Sequence, residues 1–162
     1  MFDGIPPEVV ADATRAVEFL GLEPQLTWSV LVESIEGQLR KPLQIVRADE
    51  IEWADAPITG LLIETAEQAI VICRASDPPL YQRHSVLHEF GHIMIDAVDC
   101  HALELLPTAL VESVGIGEAI IRSASRGLDV GRDELTAEAV AFLLAVRLLH
   151  RGVSAHGSAF GL

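Results

Sequence analysis

The run His88-Glu89-Phe90-Gly91-His92 places two imidazoles four residues apart, with a carboxylate directly after the first. On a helix, residues i and i+4 share a face one turn apart. Their ring nitrogens can therefore converge on one ion, and zinc accepts such ligands at roughly 2.0–2.1 Å. Glu89 stands about 100° around the helix from His88. It is poorly placed to bind the same ion and well placed to take a proton from a water held there, as the general base of an HExxH metallohydrolase does. The plainer reading is two surface histidines on an amphipathic helix. The flanks argue against it: Val86-Leu87 precede the motif, Ile93-Met94-Ile95 follow it, and Phe90 lies inside it. Gly91 costs a helix interior about 1 kcal/mol against Ala, so another backbone or a substrate strand is expected to pass close there.

A catalytic zinc needs three protein ligands and one open position. The longer pattern HExxHxxGxxH fails, because Ile95 and Val98 stand where it needs Gly and His, and His101 lies three residues too far on. Asp96 shares a face with His92, but three ligands on one straight helix spread along its axis. The later segment Asp133 to Leu149 (DELTAEAVAFLLAVRLL) offers better candidates. Glu134 and Glu138 are one turn apart at the start of an otherwise apolar helix, where carboxylates are favoured by its positive end. One can bind the ion while the other hydrogen-bonds a ligating histidine and fixes its tautomer. Spacing alone does not say which. His84 shares the His88 face, and Tyr81 can donate a hydrogen bond to a developing oxyanion; both also serve as ordinary polar residues near a helix start. His101, His150 and His156 read as structural or surface residues.

These side chains need elements to hold them. Pro6 to Leu20 reads as a helix with prolines in its first turn and Val9, Val10, Ala13, Val17 and Leu20 at helical spacing. Thr27 or Ser29 can cap a second helix through about Leu39. Leu43–Arg47, Thr59–Glu64 and Ala69–Cys73 read as three short strands, the last two joined by a turn over Thr65–Gln68. A helix from about Leu80 to Val98 carries the motif. Another runs from Glu104 or Thr108 to Ser125, and a last one from Asp133 to about Arg151. The sum is an α+β domain, helices flanking a short, mainly three-stranded sheet with HExxH on a central helix.

The chain has 162 residues, half of them hydrophobic, which suits a single domain over 1–162 with a real core. The formal net charge of −13 argues against direct nucleic-acid binding, which rests on Lys and Arg at phosphates. No run reaches the roughly 18 apolar residues of a membrane span, and the acidic N-terminus lacks the form of a secretory signal. A cytoplasmic protein is expected. Cys73 ends an apolar run and reads as a small buried hydrophobe; neither it nor Cys100 belongs to a CxxC pair.

The motif set resembles the ImmA/IrrE-type zinc metallopeptidases, HExxH proteins of gluzincin-like type. Arg83 stands five residues before HEFGH, as in that family. Glu134, Ala137, Glu138, Ala141 and Leu144 follow its later helix pattern, with Val140 where Phe or Leu is usual. The strands before the motif are similar as well, and the resemblance spans about residues 25–150. It implies a small zincin-like domain holding one zinc ion, with His88, His92 and Glu134 as ligands, Glu89 as base and Glu138 behind the ligands. A shifted alignment would put Thr136 in the ligand position, a poor choice for zinc. It implies site-specific cleavage of a helix-turn-helix, repressor-type regulator, with no DNA-binding domain in the chain itself. The acidic surface suits a basic partner, and the edge of Ala69–Cys73 is a candidate for holding substrate as an added strand. The competing reading is a zinc-binding regulatory module that binds a transcription factor without cutting it.

Overall fold

Pro6 and Pro7 open helix α1 (Pro7–Phe19), where a missing N–H costs nothing. The computed structural model describes residues 4–23, 26–49, 53, 58–95, 108–115, 122–125 and 131–150. Val9, Ala13 and Val17 form the buried stripe of α1. Helix α2 (Trp28–Leu39) is capped by the Thr27 hydroxyl, which accepts from Val30 N at 3.2 Å, and buries Leu31 and Ile35. Arg40 ends it in the left-handed region at φ 56°.

Strands β1 (Leu43–Ala48), β2 (Gly60–Glu64) and β3 (Ala69–Arg74) lie where the sequence predicts strands. Thr65 N donates to Gln68 O at 2.8 Å and closes the β2–β3 hairpin. A fourth strand, β4 (Arg122–Ser125), completes a sheet of order β1-β3-β2-β4. β1 runs parallel to β3, and the other pairs are antiparallel. The central strands β2 and β3 are buried on both faces. Leu62, Ala69, Val71 and Cys73 pack towards the main helix layer; Leu61, Ile63, Ile70 and Ile72 pack with Trp53, Ile58 and Leu110 on the other side. Two-sided burial explains why GLLIE and AIVIC read as continuous apolar runs rather than alternating ones.

Helix α3 (Pro79–Met94) carries HEFGH through the centre of the domain. Short helix α4 (Thr108–Ser113) and long helix α5 (Arg132–His150) follow. α3 packs along α5 and also touches β2, β3 and α2, while α1 packs on α5. An Arg132–Asp12 ion pair joins α5 to α1. Trp28 of α2 stacks on Phe90 at 6.0 Å between centroids.

The α+β class with a central HExxH helix stands. Two sequence expectations are corrected. The helix expected through Ser125 stops at Ser113, with Gly115 at φ 66°, and residues 122–125 form β4 instead. Ala69–Cys73 is not a sheet edge: β3 is paired on both sides, and among the described residues the edges are β1 and β4. Val98, Glu104 and Arg151, expected helix ends, lie outside the described residues, as do Asp96, Cys100, His101 and His156.

Candidate metal centre

Every residue of α3 from Ser85 to Met94 is buried. A helix this enclosed needs close neighbours, and Gly91 allows the closest one. A Cβ at Gly91 would lie 2.6 Å from the Ala137 carbonyl oxygen and 2.8 Å from its Cα. The backbone expected to pass near Gly91 is therefore α5. That crossing carries Glu134, three residues before Ala137, and Glu138, just after it, over the two histidines.

Glu134 Oε1 lies 2.9 Å from His88 Nε2, and Oε2 lies 3.2 Å from His92 Nε2. The two Nε2 atoms are 3.1 Å apart. One ligand atom from each of His88, His92 and Glu134 can be chosen so that all lie within 4.8 Å of one another, and this group can hold a metal ion. His88 and His92 are buried, and the Glu134 side chain is 19% exposed, so solvent reaches the cluster at Glu134.

Behind the cluster, His88 Nδ1–H donates to Glu138 Oε2 at 3.0 Å. A carboxylate accepts, so Nδ1 carries a ring proton, and Nε2, the atom that faces Glu134 and His92, is the one that could give its lone pair to an ion in place of a proton. The other Glu138 oxygen accepts from His84 Nε2 at 2.9 Å. One carboxylate thus ties two histidines on successive turns of α3.

The carboxylates of this group favour a positive charge at His88. Burial pushes the His88 imidazolium down, but the hydrogen bonds to Glu134 and Glu138 and the charge of Glu89 outweigh it and raise its pKa to about 9. Burial likewise pushes Glu134 up, and its bonds to His88 and His92 then pull it down to about 2. Without a metal, a proton on His88 supplies the positive charge that the carboxylates favour. Two imidazole nitrogens and a carboxylate are the donor set that suits zinc, and they leave room for a fourth partner. The residues present therefore fit the ion.

Glu89 is fully buried one position on from His88. Gly60 of β2 makes room for its carboxylate: a Cβ there would come within 2.7 Å of Glu89 Oε1. Tyr81 lies in the first turn of α3, seven residues before His88, and is 62% exposed. By helical repeat it belongs to the stripe of His84 and His88. Thr136 points elsewhere, its hydroxyl donating to Arg132 O at 2.7 Å.

Sequence reasoning did not anticipate the His84–Glu138 contact or the role of Gly60. The i, i+4 spacing of His84 and His88 was the available signal for the first. Gly60 at the start of an apolar strand was the signal for the second, since a glycine there often marks a close approach. Comparison with protein-family models, with curated proteins and with solved structures gives no match. Among the described residues no helix is long and apolar enough to cross a membrane.

Proposed function

We propose that this protein is a zinc-dependent endopeptidase of ImmA/IrrE type that cuts a regulatory, repressor-type protein. The observation that carries the reading is the convergence of His88 Nε2, His92 Nε2 and the Glu134 carboxylate, with Glu89 on the next position of the same helix. His88, His92 and Glu134 would hold the ion. A bound zinc ion supplies Lewis acidity to a peptide carbonyl and makes water easier to deprotonate. Glu89 takes the proton of the attacking water and returns it to the leaving amine. Its buried setting beside Gly60 keeps bulk water from competing for that proton. Glu138 holds the His88 tautomer, and His84 steadies Glu138. Tyr81, exposed on the same stripe, is a candidate donor to the carbonyl oxygen as it gains charge. The edge of β4, which among the described residues pairs with no second strand and whose neighbour β2 contains Gly60, offers a place for an extended substrate strand.

The test has two stages. Metal content is measured on wild type and on Glu89→Gln. A proteome-derived peptide library is then incubated with each, and new termini are read by mass spectrometry. One equivalent of zinc in both proteins, with cleavage by wild type only, is the expected result. Zinc in both with no cleavage by wild type, combined with tight binding of a helix-turn-helix regulator, would establish the non-cutting module instead.

A further inference from the structure

The side of α3 away from the histidines carries different chemistry. Gln82, Arg83 and Val86 point roughly opposite to His88 by helical repeat. They line a cleft of about 500 Å³ between α3, α2 and the edge strand β1. Trp28, Ile45, Cys73 and Val86 give it apolar walls. Two arginines, Arg47 and Arg83, also line it. Arg47 of β1 is the register partner of Cys73 and projects from the same sheet face. Arg83 lies over the Trp28 ring, 5.5 Å from its centroid. Gln82 is committed elsewhere: its amide donates to Ala75 O at 3.0 Å and to Asp77 O at 2.7 Å, which fixes the start of α3 against the end of β3.

The chain has 11 Lys and Arg against 24 Asp and Glu. Two arginines in one apolar cleft therefore run against the charge of the rest of the molecule. The volume falls within the roughly 300–1,000 Å³ of small-ligand pockets, which pair apolar walls with a few polar groups. Guanidinium groups match planar anionic heads through paired hydrogen bonds.

We propose that this cleft is a second binding site, for a small amphipathic anion. Its apolar body sits on Trp28, Ile45 and Val86, and its anionic head lies between Arg47 and Arg83. The site is separate from the His-His-Glu cluster and does not rest on the metal or peptidase reading.

The test is a fluorescence titration of the full chain with two probes that share an aromatic body. One is 1-anilinonaphthalene-8-sulfonate, and the other is the uncharged N-phenyl-1-naphthylamine. One molecule of the sulfonate binds per chain, at least about tenfold more tightly than the neutral probe, as expected of charge-assisted hydrogen bonds. Decanoate displaces it and decanol does not. Arg47→Gln/Arg83→Gln brings the two probes to parity, and Ile45→Trp abolishes binding of both, with far-UV circular dichroism unchanged. Equal affinities in wild type overturn the proposal, as does an undiminished sulfonate preference in the double variant or normal binding by Ile45→Trp. If the double variant does not fold, Arg47→Gln alone, at an exposed strand position, must reduce the preference; no change overturns the proposal equally.

Discussion

Gly91 of α3 meets the backbone of Ala137 of α5 so closely that any side chain at 91 must push the two helices apart. The spacing of the helices is also the spacing of His88 and His92 from Glu134. Gly91→Ala removes a helix-propensity cost of about 1 kcal/mol but introduces overpacking of about 1–3 kcal/mol. We expect little net change or a modest loss of stability, together with a clear loss of metal affinity. Thermal melts paired with metal titration check this. Unchanged affinity would show that the crossing does not set the site.

Gly60 plays the same part for Glu89. A methyl group at position 60 would strike the Glu89 carboxylate oxygen at 2.7 Å. Gly60→Ala is expected to keep the bound metal and lower peptide hydrolysis by about 10²-fold, at the lower end of what a positioned general base contributes. Metal analysis beside a cleavage assay separates the two effects.

Glu134 and Glu138 differ in rank although both touch His88. Glu138→Ala removes the partner of Nδ1 and should weaken metal binding by about 10–100-fold. Glu134→Ala removes a donor of the cluster itself and should weaken it by more than that. The reverse order in competitive chelator titrations would reassign the ligand.

Proton and metal compete for His88, whose pKa in the metal-free fold is raised to about 9. Apparent metal affinity should therefore rise by about tenfold per pH unit between about pH 7 and about pH 9, then level off. Metal-free stability runs the other way. A raised histidine pKa gives stability that is fully present below the unfolded value and is lost as pH rises through about 9. Isothermal titration and urea melts across this range check the two opposite slopes.

Added metal should raise the melting temperature. At a free concentration 100-fold above Kd the gain is about 2.7 kcal/mol, or roughly 5–11 °C for a chain of this size. Chelator should reverse the shift.

The motif helix, the β2–β3 hairpin and the first two helices were legible because their signals are local: periodicity, capping by Thr27, and apolar runs bounded by turn residues. β4 was not. Its sequence, Arg-Ser-Ala-Ser, has no strand character, and its state comes from pairing with Leu61–Glu64. Strand order was hidden for the same reason, since nothing local states that β1 lies beside β3. In the site, His88, Glu89 and His92 were legible from one helical turn. The choice between Glu134 and Glu138 was not settled by spacing. The facing of α5 on α3 at Gly91 now separates them geometrically: Glu134 faces both Nε2 atoms, and Glu138 faces the far side of His88.

The contacts that join α3 to α5 bridge long stretches of chain; His88 and Glu138 are 50 positions apart. Closing so long a span has an entropic cost, and helix docking must offset it before the cluster exists. During synthesis the histidines emerge from the ribosome well before the glutamates. A nascent chain therefore carries HEFGH without a partner carboxylate, and has no assembled centre until α5 has been made and docked. The topology thus puts off any metal binding by this cluster until α5 has docked on α3.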